Sequence, residues 1–189
     1  AMENPYATSS AWIRSFSGDG YSAGTQVYSC INRLLYDRIP ESDVRKGWWV
    51  DASLKSPLLE HVTWDGVSGD AVAGLTIDNV KMAFLPYTNV KFGMNTVGGT
   101  LNDDDWPFMR VEEMILIQIE GLAKSGSPAQ AKDMLEDFIR TYRDPAYSAD
   151  ASGRSMEDEI WFQRRVELWG EGFSNNDTRR LNKPLVRFH

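Results

Sequence analysis

The clearest hydrophobic rhythm in the chain runs from Trp106 to Lys124. Apolar residues recur at Val111, Met114, Ile115, Ile119 and Leu122, with Gln118 in register, which is the spacing of one helical face. Asp103, Asp104 and Asp105 precede it, where negative charge suits a helix N-terminus, and Gly126 is placed to end it as the C′ residue. A second helix begins at once, with Ser127 as N-cap, Pro128 at N1 and Gln130 at N3 to complete a capping box. Its stripe is Ala131, Met134, Leu135, Phe138, Ile139 and Tyr142. Helices joined by so short a link fold back on each other, so an antiparallel helix pair organises this half of the chain.

A third helix is predicted over 156–171, announced by Ser155 and Asp158. Phe162, Val166, Trp169 and Phe173 form its stripe, flanked by Ile160, Trp161 and Leu168, so it is expected to be buried on more than one side. Arg164, Arg165, Glu167 and Glu171 interleave with that arc, and charges there need partners. Arg164 with Glu167 is the expected pair, while Glu113 and Glu120 are expected to meet arginines of a neighbouring helix. Gly170 and Gly172 break the helix, and Asn175–Asn176 reads as a turn.

The first half is less regular. Residues 1–22 read as a polar loop punctuated by Trp12, Phe16 and Tyr21. Val27, Tyr28, Ile31, Leu34, Leu35 and Ile39 predict a helix ended by Pro40, with Cys30 as a buried, inert thiol beside the stripe. Residues 41–51 form a loop holding Trp48 and Trp49. If the chain is extended there, the two rings point to opposite sides, one packed and one open to a ligand. Residues 52–80 are Gly- and Asp-rich and read as a surface loop. Met82–Phe92 is the best strand candidate, interrupted by Pro86. Gly98 and Gly99 mark a linker.

Composition narrows the function. A net charge of -7 argues against a general nucleic-acid or anionic-membrane surface. One cysteine excludes an intrachain disulfide, and no run of about 18 apolar residues spans a membrane. His61 and His189 are too far apart in the chain to suggest a paired-histidine metal site, and the Asp65–Asp70 loop lacks the spacing of an EF-hand. No phosphate-binding loop, dinucleotide fingerprint, zinc-protease helix or nucleophile elbow occurs, so no cofactor is expected. Two chemical possibilities remain. Paired carboxylates, Glu112/Glu113 and Asp103–Asp105, are the raw material of a glycosidase, although a charged helix entrance explains them as well. Seven tryptophans are the other feature, since core packing or stacking on the C–H faces of sugars would each use them.

Arg110-x-x-Glu113, Glu120 through Gly126, Ala129 to Ala131, Arg164 through Gly172 and Asp177-x-x-Arg180 together resemble the SusD/RagB family, in order and spacing over about residues 105–181. Gln163 stands where that family has Glu, and Thr178 where it has Leu. The resemblance implies a mostly α fold, with tetratricopeptide-like helix pairs and a loop-rich subdomain carrying few short strands. Residues 1–104 would be the loop-rich segment with one helix and a short strand, and 105–189 the helical region, both parts of one larger domain. It implies a fragment from the C-terminal half of a protein that begins with a signal peptide and a lipidated cysteine. Such a protein is a non-enzymatic glycan-binding lipoprotein of the outer-membrane surface. Its partners would be oligosaccharide or polysaccharide and a SusC-like TonB-dependent transporter, with membrane contact only through the lipid anchor. The motif residues are structural, so the candidate site comes from chemistry alone: Trp48, Trp49 and Trp64 as stacking platforms, Arg45 and Asp65 as partners for hydroxyls. A helical-repeat scaffold that binds other proteins is the alternative, and a glycoside hydrolase a second one.

Overall fold

The computed structural model describes residues 30–58, 62–68, 72–77, 80–91 and 109–186, with the three strands described by their backbone. The expectations for residues 1–29, for His61, for Asp70, for the linker and for Asp103–Asp105 fall outside these. Among the described residues the chain is mostly helical, with one sheet. The elements are α1 (Arg33–Tyr36), β1 (Val62–Ser68), β2 (Val72–Ile77), β3 (Val80–Phe84), α2 (Val111–Lys124), α3 (Pro128–Tyr142), α4 (Met156–Glu167) and α5 (Phe173–Arg180). They belong to two compact units, Ala1–Arg38 with Lys46–Trp106, and Ile39–Arg45 with Pro107–His189.

In the first unit, residues 30–39 of the helix predicted over 25–39 form only a single turn. Cys30 is extended and bridges Thr88, and the Asn32 side chain accepts from Leu34 N, capping α1 only there. Cys30 is also exposed, not the buried thiol expected. Residues 87–90 thread between two partners: Ile31 N donates to Tyr87 O, Val50 N to Thr88 O, Tyr87 N to Val50 O and Val90 N to Trp48 O. Ile31, Leu35, Trp49, Val50, Leu54 and Val90 are buried here. The expected loop over 52–80 contains two strands. β1, β2 and β3 form an antiparallel meander in which Val62 faces Ile77 and Ala73 faces Phe84. Val62, Trp64 and Val67, then Val72, Leu75 and Ile77, carried that signal, but the Gly and Asp residues among them masked it. The register slips between Trp64 and Gly66, leaving Asp65 as an extra residue opposite Gly74–Leu75. The strand expected over 82–92 ends at Phe84, because Pro86 has no amide hydrogen to donate.

The second unit is the helix pair and its cover. α2 and α3 pack on each other, and Leu116, Ile119, Leu135 and Ile139 are fully buried between them and α4. Each such side chain is worth about 1.5–3 kcal/mol relative to exposure. Gly126 is the left-handed C′ residue, and Ser127 N donates to Leu122 O, three residues inside α2. Ser127 is the N-cap of α3, yet its side chain makes no capping hydrogen bond, so the capping box is not formed. The stripe of α3 is as predicted, except that Tyr142 is exposed. α2 is turned further than predicted. Leu116, Ile119 and Glu120 are buried, whereas Val111 and Met114 are exposed. α4 starts at the Ser155 cap, whose Oγ accepts from Asp158 N, and ends at Glu167, earlier than 171. Gly170 and Gly172 take positive φ after it. Asn175 and Asn176 are not a turn but lie within α5.

Candidate functional site

The five candidate residues are used in three different ways. Arg45 belongs to the helical unit and is fully buried. Its guanidinium donates to Asp43 at 2.6 Å, to Gln163 Oε1 at 2.6 Å and to Glu167 Oε2 at 3.3 Å. It has no surface left for a sugar hydroxyl, which corrects the sequence expectation. Trp49 is also fully buried and cannot serve as a platform. Trp48 is only partly buried, but it ends a 3-10 turn over Val44–Trp48, so the difference between the two rings does not come from the alternation of an extended chain. The Trp48 ring stands 6.2 Å from that of Trp49, and Lys91 Nζ lies 4.9 Å from its centroid, within cation–π range. Its loop is held tightly. A Cβ on Gly47 would lie 2.7 Å from Pro57 Cγ, and Ser56 Oγ donates to the Gly47 carbonyl. Trp64 and Asp65 fall on β1, with Asp65 as the bulged residue, a device that locally re-aims a strand.

The densest chemistry lies elsewhere, around Glu167. This carboxylate is fully buried and faces three arginines. Arg143 binds it through two hydrogen bonds of 2.9 Å, while Arg45 and Arg110 each approach to 3.3 Å. Arg110 also donates to the Glu167 carbonyl at 2.7 Å and pairs with Glu171, and Arg143 reaches Glu112 at 3.1 Å. Burial alone would raise the Glu167 pKa. The Arg143 hydrogen bonds and the charges of Arg45, Arg143 and Arg110 outweigh it and hold the group below the usual carboxylate range. The expected Arg164–Glu167 pair does not form, since three other arginines take up Glu167. Arg164 instead binds Asp177 of α5 at 2.7 Å.

Two more clusters complete the network. Glu159 accepts from Tyr147, Gln163 and Arg154, each at 2.8 Å. Glu120 meets Arg180 of α5, as expected of an arginine on a neighbouring helix, and Lys124 at 2.7 Å. The Arg180 hydrogen bonds, against a smaller desolvation cost, lower its pKa to about 2. Every carboxylate in these clusters is engaged by cations. General acid–base chemistry needs a carboxyl group free to exchange a proton with substrate, and none of these is placed for that. Sequence reasoning missed this role for Arg45, which is 122 positions from Glu167 in the chain.

A cavity of about 310 Å³ opens beside α2, α3 and α4, floored by Ala123, Pro128, Met156, Ile160 and Leu181 and rimmed by Glu120, Lys124 and Glu157. None of the five candidates lines it. Among the described residues, no cluster of three His, Cys, Asp or Glu side chains is placed to hold a metal ion, and no helix is long and apolar enough to cross a membrane.

A sequence model of the SusD family matches residues 64–188. Among solved structures, the chain is similar to a SusD-like carbohydrate binding protein from Bacteroides vulgatus, with a TM-score of 0.62 and 22% identity. That alignment covers 94% of this chain but only 32% of the other, so the chain spans about a third of the length of that structure. Nothing among curated proteins matches the chain.

Proposed function

Because the chain belongs to the SusD family, we propose that it is part of a surface protein that binds oligosaccharide without cleaving it. In this reading the protein sits at the outer-membrane surface and passes the glycan to a SusC-like TonB-dependent transporter. The family match carries the proposal. The carbohydrate binding named for the structurally similar protein supports the ligand class. The engagement of Glu120, Glu159 and Glu167 by cations supports a scaffold role for the helical unit.

Trp48 is the first stacking platform we assign. Trp48 is partly exposed, and its loop is braced by the close approach of Gly47 to Pro57. A rigid aromatic face binds the C–H face of a sugar with little ordering cost. Trp64 and Asp65, at the bulge of β1, are the second element. Titration calorimetry of the chain against a panel of soluble polysaccharides tests this. At least one glycan should bind, and Trp48→Ala should weaken it by roughly tenfold or more, the cost of a lost aromatic contact. Reducing ends released by the purified chain would overturn the non-catalytic reading, and unchanged affinity in the variant would remove Trp48.

A further inference from the structure

Among the described residues, three that are not glycine take positive φ: Leu54 at 62°, Tyr87 at 68° and Asn182 at 50°. A Cβ makes that conformation costly, and asparagine bears it best. Asn182 is therefore of a suitable type, and Leu54 is buried in the core of the first unit, which uses its side chain. Neither reason holds for Tyr87, which stays partly exposed. It follows Pro86 in the turn from Leu85 to Thr88, closed by Thr88 N donating to Leu85 O at 3.1 Å. Glycine or asparagine is the usual residue at such a position. The backbone is held there from both sides, since Tyr87 N donates to Val50 O at 3.0 Å and Ile31 N to Tyr87 O at 3.1 Å. The Tyr87 ring meets that of Tyr36 edge-on, with centroids 5.1 Å apart and planes at 62°. That contact offsets part of the strain, yet phenylalanine would make it equally well. An edge contact also covers at most one face of the Tyr87 ring. The hydroxyl has no hydrogen-bond partner among the described residues and is not among the buried atoms that lack one.

We propose that Tyr87 is a second sugar-contacting residue of the Trp48 surface, an inference that rests on the glycan-binding reading. Its ring stacks on the C–H face of a pyranose, and its hydroxyl exchanges a hydrogen bond with a sugar hydroxyl. Tyrosine has an apolar body and a polar tip, which matches a sugar that is apolar across its ring and polar at its rim. The two aromatic residues are close along the paired backbones. Tyr87 N binds Val50 O, two residues beyond Trp48, and Val90 N binds Trp48 O at 2.8 Å. Their backbones are on the order of 10 Å apart, so one oligosaccharide reaches both. A residue kept in a strained conformation by hydrogen bonds on both sides is ordered before it binds, which lowers the cost of binding.

Titration calorimetry of the whole chain against soluble starch, xylan, mannan and pectin finds the polymer to use, and two variants then divide the side chain. Tyr87→Phe should leave the melting temperature unchanged and weaken affinity by about fivefold, the share of one hydrogen bond. Tyr87→Gly suits the turn, so it should keep the fold and weaken affinity by roughly tenfold or more. A Tyr87→Phe chain that melts below the wild type would give the hydroxyl a role in the fold and overturn the inference. Variants that bind as tightly as the wild type would overturn it too, while leaving Trp48 and the glycan reading in place. A wild-type chain that binds none of the four polymers would instead end that reading, and this inference with it.

Discussion

The two units of this chain solve the same problem with different forces. The helical unit buries charge and cancels it: Arg45, Arg110 and Arg143 surround Glu167, while Arg164 and Arg180 share Asp177. The first unit buries a large aromatic, Trp49, and secures its irregular backbone by pairing residues 87–90 with 31 and 48–50. A charge network has many partners with fixed geometry, so it specifies one arrangement of helices and tolerates little change. Backbone pairing is indifferent to side chains, so a loop such as that of Trp48 can vary at its surface while its path is kept. That contrast is the basis on which we propose the helical unit as scaffold and the Trp48 loop as part of the recognition surface.

The sharpest way to break the comparison is Glu167→Ala. It would leave three guanidinium groups facing one another without their shared carboxylate, and should cost about 3–5 kcal/mol in urea unfolding. A loss under about 1 kcal/mol, the scale of an exposed ion pair, would show that the network is not what holds the helices. In the first unit, Gly47→Ala should cost about 1–3 kcal/mol, because the added methyl meets the Pro57 ring. A melting temperature unchanged from the wild type would mean that the Trp48 loop is looser than its contacts imply.

Acid should act on the helical unit. Glu120 has a folded pKa of about 2, below the 4.5 of an ordinary glutamate, so the unfolded state binds its proton first. Its contribution is fully present above about pH 4.5 and is lost as pH falls toward 2. After allowance for the solvent exposure of Arg180, the loss should be about 1–2 kcal/mol. Glu120→Gln should flatten that part of the pH–stability curve, and a curve of unchanged slope would reject the assignment. The smallest effect has the opposite sign. Gly121→Ala should raise the stability by about 1 kcal/mol, because a Cβ there meets nothing within 4 Å and alanine suits a helix interior better. A thermal melt shifted downward would reject that assignment.

Periodicity alone located the three long helices, because α2, α3 and α4 each repeat apolar residues over several turns. Local chemistry placed the Ser155 cap and the Gly126 terminus, since each depends on a few adjacent residues. Other local signals were overridden. Ser127 is the N-cap of α3 without a side-chain capping bond, and residues 30–39 yield one helical turn, with residue 30 paired to Thr88 instead. The meander was hidden by Asp65, Gly66 and Gly74, which read as loop until Val62 and Ile77 are seen opposite each other.

The sequence by itself determined that the three longest described helices are helical, that α2 and α3 form a short-linked hairpin, and that the charges around them must find partners. Only tertiary structure decided which face of α2 turns inward, which tryptophan of the Trp48–Trp49 pair is swallowed, and that a loop arginine at 45 serves a glutamate at 167. The physical reason is the same in each case. Helical period is a property of neighbours in the chain, whereas burial and ion pairing depend on groups that meet only after the chain has folded.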